Sequence, residues 1–176
     1  MELLPFSPSP PNSTGASIRL FATVTKSNHE MHAHFTLSGD TTTIQWPPPT
    51  GVTQGSDLWK QTCFELFLAT AHSSEYWEYN FSPSRQWAIY AFTDYRQPAP
   101  ISLTHVPTID PPQRSATAFA LQAHFTLEPP LIKQPLIMGV SAIIQTTDGQ
   151  RHFYALRHCS TKPDFHMRAS FIVEMD

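Results

Sequence analysis

WKQTCFELFL (residues 59–68), YWEYNFSP (76–83) and WAIYAF (87–92), with Tyr95 and Arg96 close behind, decide how this chain folds. They carry three of the four tryptophans. Each segment is short, rich in aromatic and β-branched residues and alternates in polarity, while the joints at 71–74 and 82–86 hold Ser, Pro and Gln. The stretch therefore reads as a three-stranded antiparallel meander. Alternation assigns the faces: Phe64, Leu66 and Leu68 share one side, and Cys63, Glu65 and Phe67 the other, on the parity of Trp59. In the next segment Trp77, Tyr79 and Phe81 oppose Tyr76, Glu78 and Asn80. A face with two carboxylates, an amide and flanking indoles is either the solvated side of the sheet or a platform for a ligand.

The same alternation runs outward. Leu20, Ala22 and Val24 alternate with Arg19, Phe21 and Thr23, and Met31, Ala33, Phe35 and Leu37 with His32, His34 and Thr36. These predict two half-buried strands joined by a hairpin at 26–29. A short strand is expected over 42–46, stopped by the prolines at 47–49. Another is expected over 101–106. Phe119, Leu121, Ala123, Phe125 and Leu127 keep a strict period of two. Residues 136–144 are apolar on both parities and predict a strand covered on both sides, with Asp148 and Gly149 turning it into a strand over 151–157. A last strand is expected over 169–174. Phe64, Leu66, Leu68, Phe119, Leu121, Phe125, Ile137 and Ile143 are the expected core.

About ten strands with proline-rich joints and no tandem repeat predict an all-β chain, a single-domain antiparallel β-sandwich of jelly-roll type. Composition agrees. The 176 residues include 17 prolines and only 14% charged residues, against about a quarter in an average domain. Residues 1–15 form a Pro/Ser-rich extended tail in this reading, and 16–176 the ligand-binding sandwich. The formal charge of −3 with 11 scattered Lys and Arg gives no basic stripe, so neither nucleic acid nor an anionic membrane surface is an expected partner. No apolar run reaches the ~18 residues of a membrane span. The opening MELLPF lacks the basic and long apolar parts of a signal peptide, which predicts a cytoplasmic protein with Cys63 and Cys159 as free thiols.

The segments quoted above, with YALRH (154–158) and KPDFH (162–166), resemble the DOMON-like domains of bacteria, a group similar to family 9 carbohydrate-binding modules and to the cytochrome domain of cellobiose dehydrogenase. The resemblance covers roughly residues 15–175, and CFELF (63–67) and NFSPS (80–84) are its most specific parts. It implies a β-sandwich that binds a sugar or a haem. It also agrees with Trp59 and Glu65 as ligand contacts, because sugar-binding relatives use a loop-borne Trp with polar residues of the next strand.

A sugar's C–H face stacks on an aromatic ring while its hydroxyls need directed partners, so Trp59, Trp87, Tyr90 and Tyr95 are the aromatic candidates and Glu65, Glu78, Asn80, Arg96 and Arg157 the polar ones. Trp77, between Tyr79 and Phe81, is expected in the core. The polar segment 157–166 adds His158, since loops on a rigid scaffold often carry function. A glycosidase needs two carboxyls about 5–9 Å apart across a bond, and a meander supplies a platform more readily than a cleft. The expected function is therefore non-catalytic binding of a carbohydrate or small polar metabolite, without a cofactor. Haem is the first alternative, with Met31 or Met138 and His152, His158 or His166 as axial ligands, and an interaction module without a small ligand is the second. His32 and His34 lack an identifiable third metal ligand unless the strand of His124 is adjacent.

Overall fold

The computed structural model describes residues 1–6, 18–132 and 134–175. Its strands are β1 (Glu2–Pro5), β2 (Arg19–Ser27), β3 (Glu30–Ser38), β4 (Thr53–Gln54), β5 (Cys63–Thr70), β6 (Tyr76–Phe81), β7 (Gln86–Asp94), β8 (Gln97–Ala99), β9 (Thr108–Ile109), β10 (Gln113–Arg114), β11 (Ala118–Thr126), β12 (Leu136–Gln145), β13 (Arg151–Ala155) and β14 (Val173–Met175). One helical turn, Pro129–Ile132, and three short 3-10 turns complete the described residues. The chain is a β-sandwich. One layer runs β10-β11-β3-β2 and the other β13-β12-β5-β6-β7, and β1 joins them by pairing with β2 through Glu2 and Leu3 and with β13 through Leu4 and Pro5. β13 and β14 follow one another along the same edge of β12.

The meander at 63–94 forms as its alternation predicts, with Leu66 opposite Tyr79 and Tyr79 opposite Ile89. The hairpin at 26–29 turns through Asn28 at φ 55°, and the one after β12 through Gly149 at φ 84°. Left-handed backbone of this kind is what Asn and Gly tolerate best. Between the layers, Phe64 of β5 meets Phe35 of β3 at 5.0 Å and stacks on Phe119 of β11 at 5.5 Å, and Tyr79 stacks on Phe125 at 4.4 Å. Trp77 is half-buried and packs against this core. Both cysteines are free.

Several expectations are corrected. Residues 2–5, assigned to the tail, form β1, because Leu3 has an apolar pocket to fill and is 2% exposed; residues 7–15 lie outside the described residues. In place of a strand over 42–46, Asp40 accepts from the Thr42 amide at 3.0 Å and caps a 3-10 turn, Thr41–Thr43, so that Ile44 alone bridges to Thr146. An Asp ahead of a threonine run competes with a ladder in this way. No strand forms over 101–106, where the buried Glu128 takes the Thr104 amide and hydroxyl instead. The expected strand at 169–174 shortens to Val173–Met175 behind a 3-10 turn, Arg168–Ser170. Ile137 and Ile143 face away from the main core. They join a second apolar cluster made by Phe67, Tyr76, Phe165 and Phe171 on the outer side of the second layer.

That second cluster exists because the chain after β13 folds back over the outer face. Gly139 of β12 permits the close approach: a Cβ there would stand 2.7 Å from Cδ1 of Phe171. Gly139→Ala is expected to cost about 1–3 kcal/mol through this overlap. Chemical denaturation measures it, and an alanine variant as stable as the parent would show that the Phe171 ring moves aside freely.

Candidate functional site

The outer face of the meander is neither solvated nor a flat platform. Covered by the chain beyond β13, it leaves an open cavity of about 460 Å³. Its floor is polar. Glu65 and Glu78 line it, at 2% and 5% exposure, with Asn80 fully buried beside them. Glu65 stands opposite Ser141 of β12, whose hydroxyl donates to Glu65 Oε2 at 2.8 Å, and Asn80 Nδ2 donates to Glu78 Oε1 at 2.6 Å. Cys63, buried next to them, donates weakly to Asn80 Oδ1 at 3.5 Å. Burial, and after it the Glu78 charge, raises the Glu65 carboxyl to about 8; burial raises Glu78 as well. Carboxylates taken out of water with no cation in contact hold their protons more tightly.

The walls are aromatic. Tyr90 and Phe92 come from β7, Phe153 from β13 and Phe165 from the covering segment, with Trp59 at 42% exposure among the lining residues. Trp59 sits on a 3-10 turn, Leu58–Lys60, with the Lys60 ammonium 5.4 Å from its ring centre.

A polar clasp closes one side. Arg96 Nη2 donates to Asp164 Oδ1 at 3.1 Å, and the Tyr95 hydroxyl donates to Asp164 Oδ2 at 2.6 Å. The Arg96 amide donates to the Tyr76 hydroxyl at 3.0 Å, which meets His166 Nδ1 at 2.8 Å. With Tyr76 donating to Nδ1, the ring proton of His166 is assigned to Nε2, 3.7 Å from Glu78 Oε2. Burial, then the Arg96 charge, lowers His166 to about 4, so the imidazole is neutral at pH 7. Asp57 and Arg96, both lining the cavity, are non-glycine residues with left-handed backbone, φ 54° and 52°; such strain is often held where a site demands it.

The structure thus brings Trp59, Glu65, Glu78 and Arg96 together around one cavity, with Asn80 orienting Glu78 and Tyr95 holding Asp164. Three expected site residues lie elsewhere. Trp87 is 4% exposed in the main core, since it shares the parity of Ile89 rather than of Tyr90. Arg157 is exposed and does not line the cavity. His158 bonds the Leu4 carbonyl at 2.9 Å and packs on Phe6, securing β1. Asp164, Phe165 and His166 were the residues to find in the polar segment 157–166. The signal for them was the sequence KPDFH itself, with a fixed proline ahead of an acid, a ring and an imidazole.

Two other groupings do not form ligand sets. Met31 and Met138 are fully buried in the main core, on the side of the sheet away from His166, and make no axial pair with it. β11 does lie beside β3, so His124 Nδ1 meets His32 Nδ1 at 2.7 Å and His124 Nε2 lies 3.3 Å from Asp110. Among the described residues, no group of three or more His, Cys, Asp and Glu is arranged to hold a metal ion.

No protein-family model matches the sequence, and no curated protein matches it. Solved structures match the fold. A protein from Bacteroides uniformis ATCC 8492, to which carbohydrate binding has been ascribed, aligns over 96% of this chain and 82% of its own with a TM-score of 0.64 at 10% identity. A family 9 carbohydrate-binding module from Caldicellulosiruptor kristjanssonii, solved with cellotriose, aligns over 82% of this chain and 68% of its own with a TM-score of 0.51, also at 10% identity. This chain has the fold of these proteins.

Proposed function

We propose that the protein binds a carbohydrate or a sugar-containing metabolite, without catalysis, in the cavity between the meander and the segment that covers it. One observation carries the reading: a buried polar floor of Glu65 and Glu78 lies under aromatic walls, in a volume that suits one or two sugar rings. Rings supply an apolar surface for a sugar's C–H face, and fixed carboxyl oxygens accept from its hydroxyls. The fold it shares with carbohydrate-binding proteins is further support. Placement supports binding over glycoside hydrolysis: Glu65 and Glu78 stand on adjacent strands of one floor and meet a ligand from the same side, whereas hydrolysis uses carboxyls flanking the scissile bond.

Trp59→Ala is the test. With its indole 42% exposed, truncation is expected to leave thermal unfolding unchanged and to weaken binding by about 2 kcal/mol or more, at least ~25-fold. A thermal-shift screen of sugars and nucleotide sugars supplies the ligand, and titration of the hit into both proteins supplies the ratio. Equal affinity in the variant would remove Trp59 from the site. Trp87→Ala, in the core, is the contrasting variant: it is expected to lower stability.

A further inference from the structure

We infer that the sugar taken by this cavity carries a free, protonated amine. The inference rests on the carbohydrate reading and narrows it to amino sugars.

The floor holds two acidic groups with no cation in contact. Glu65 and Glu78 each give one carboxyl oxygen to an uncharged donor, Ser141 and Asn80. The second oxygens, Glu65 Oε1 and Glu78 Oε2, accept no hydrogen bond from the described residues, although both side chains are more than nine-tenths buried and line the cavity. The cations nearby are engaged or distant: Arg96 holds Asp164, Lys60 holds Asp57 at 2.7 Å, and the neutral His166 stops 3.7 Å short. Arg151 lines the cavity from an exposed position. A neutral hydroxyl donates to a carboxylate but leaves its charge uncompensated in a medium of low dielectric. An ammonium group donates up to three hydrogen bonds and cancels one charge. The π-faces of Tyr90, Phe92, Phe153 and Phe165 add attraction for a cation within the same walls.

Proton balance follows. Glu65, raised to about 8 by burial and by the neighbouring Glu78, keeps its proton in the free protein at pH 6.5, and Glu78 is raised in the same direction by burial. An ammonium bound beside the two carboxyls favours their ionised form, so the Glu65 proton leaves to solvent as the amine enters with its own. The other titratable groups facing the pair are Cys63, Tyr76, Tyr90, Arg96 and His166. Cys63, Tyr76 and Tyr90 are all raised and stay protonated, and His166 stays neutral, so the released proton comes from the carboxyl pair.

Calorimetric titration tests this with glucosamine and its β-1,4-linked dimer against glucose and cellobiose, at pH 6.5 in two buffers of different ionisation heat. The amino sugars are expected to bind at least tenfold tighter than their neutral counterparts, with release approaching one proton. Glu78→Gln, which keeps an oxygen for Asn80, is expected to melt like the parent and to lose the amino sugar's advantage over its neutral counterpart. Neutral sugars binding as tightly as amino sugars would overturn the amine while the carbohydrate site stands. Binding of none of the four sugars, in a protein that unfolds cooperatively, would overturn the carbohydrate reading and the amine with it.

Discussion

Phe64→Ala is expected to remove about 3–5 kcal/mol of folding stability, the largest single effect in this protein. The side chain is fully buried on β5, and its ring meets two strands of the other layer. It lies 5.0 Å from Phe35 on β3 and 5.5 Å from Phe119 on β11, parallel to the latter within 6°. Phe119 in turn stacks at 4.4 Å on Trp46. Truncation empties the centre of this stack, and collapse is resisted because β1 ties both layers at their edge. Domains of this size are stable by only about 5–15 kcal/mol, so the variant should unfold at a much lower denaturant concentration with an unchanged slope. A loss below about 1 kcal/mol would mean that the layers close over the gap.

Stability is also expected to fall by about 2 kcal/mol as pH is raised from 6.5 to 8, and Glu65→Gln is expected to abolish most of that fall. Glu65 is raised from 4.5 to about 8 by burial and by Glu78. Its contribution is therefore fully present below pH 4.5 and lost as pH rises through 8, since the folded protein keeps a proton that the unfolded chain has released. His166, lowered from 6.5 to about 4 by burial, acts in the opposite sense: its contribution is present above pH 6.5 and lost as pH falls through 4. Between 4.5 and 6.5 the two slopes offset each other, with Glu78, raised in the same direction as Glu65, tilting the balance downward. Above 6.5 the carboxyl contribution stands alone, at about 1.4 kcal/mol per pH unit. Thermal unfolding across pH 5 to 9 reads the curve. A parent protein as stable at pH 8.5 as at 6.5 would show that Glu65 ionises without cost inside the fold.

The sheet was legible in the sequence wherever one parity was apolar and the other polar. Residues 119–127 and 31–37 give their inward faces without ambiguity, and the meander divides Phe64, Leu66 and Leu68 from Glu65 for the same reason. Legibility failed where both parities are apolar: Trp87 and Tyr90 differ by an odd number of residues, yet Ala88, Ile89, Ala91 and Phe92 give neither face a polar mark. Glu65, Glu78 and Arg96 were identifiable because charge inside an aromatic run has few structural uses. The cover over them was not. Phe165, Phe171 and His166 reach the floor from a segment with no period, and the contact that seats it depends on a missing side chain at Gly139. A polar face was therefore read as a solvated surface or an open platform, where the fold makes the floor of a cavity.

The shared strand β1 sets the order in which the molecule assembles. Leu3 pairs with Leu20, close in the chain, but Leu4 pairs with Ala155, about 150 positions away. The ladders of β11 with β3 and of β12 with β5 also span long loops. Topologies dominated by such distant pairings fold in milliseconds to seconds rather than microseconds. β2 follows β1 directly and pairs with it early, whereas β13 comes about 150 positions later, so the second edge of β1 stays open through the synthesis of everything between them. An open strand edge accepts a neighbouring chain as readily as its own. Concentrated refolding should accordingly yield aggregates that dilute refolding avoids, with the closure of β1 as the step that separates the two outcomes.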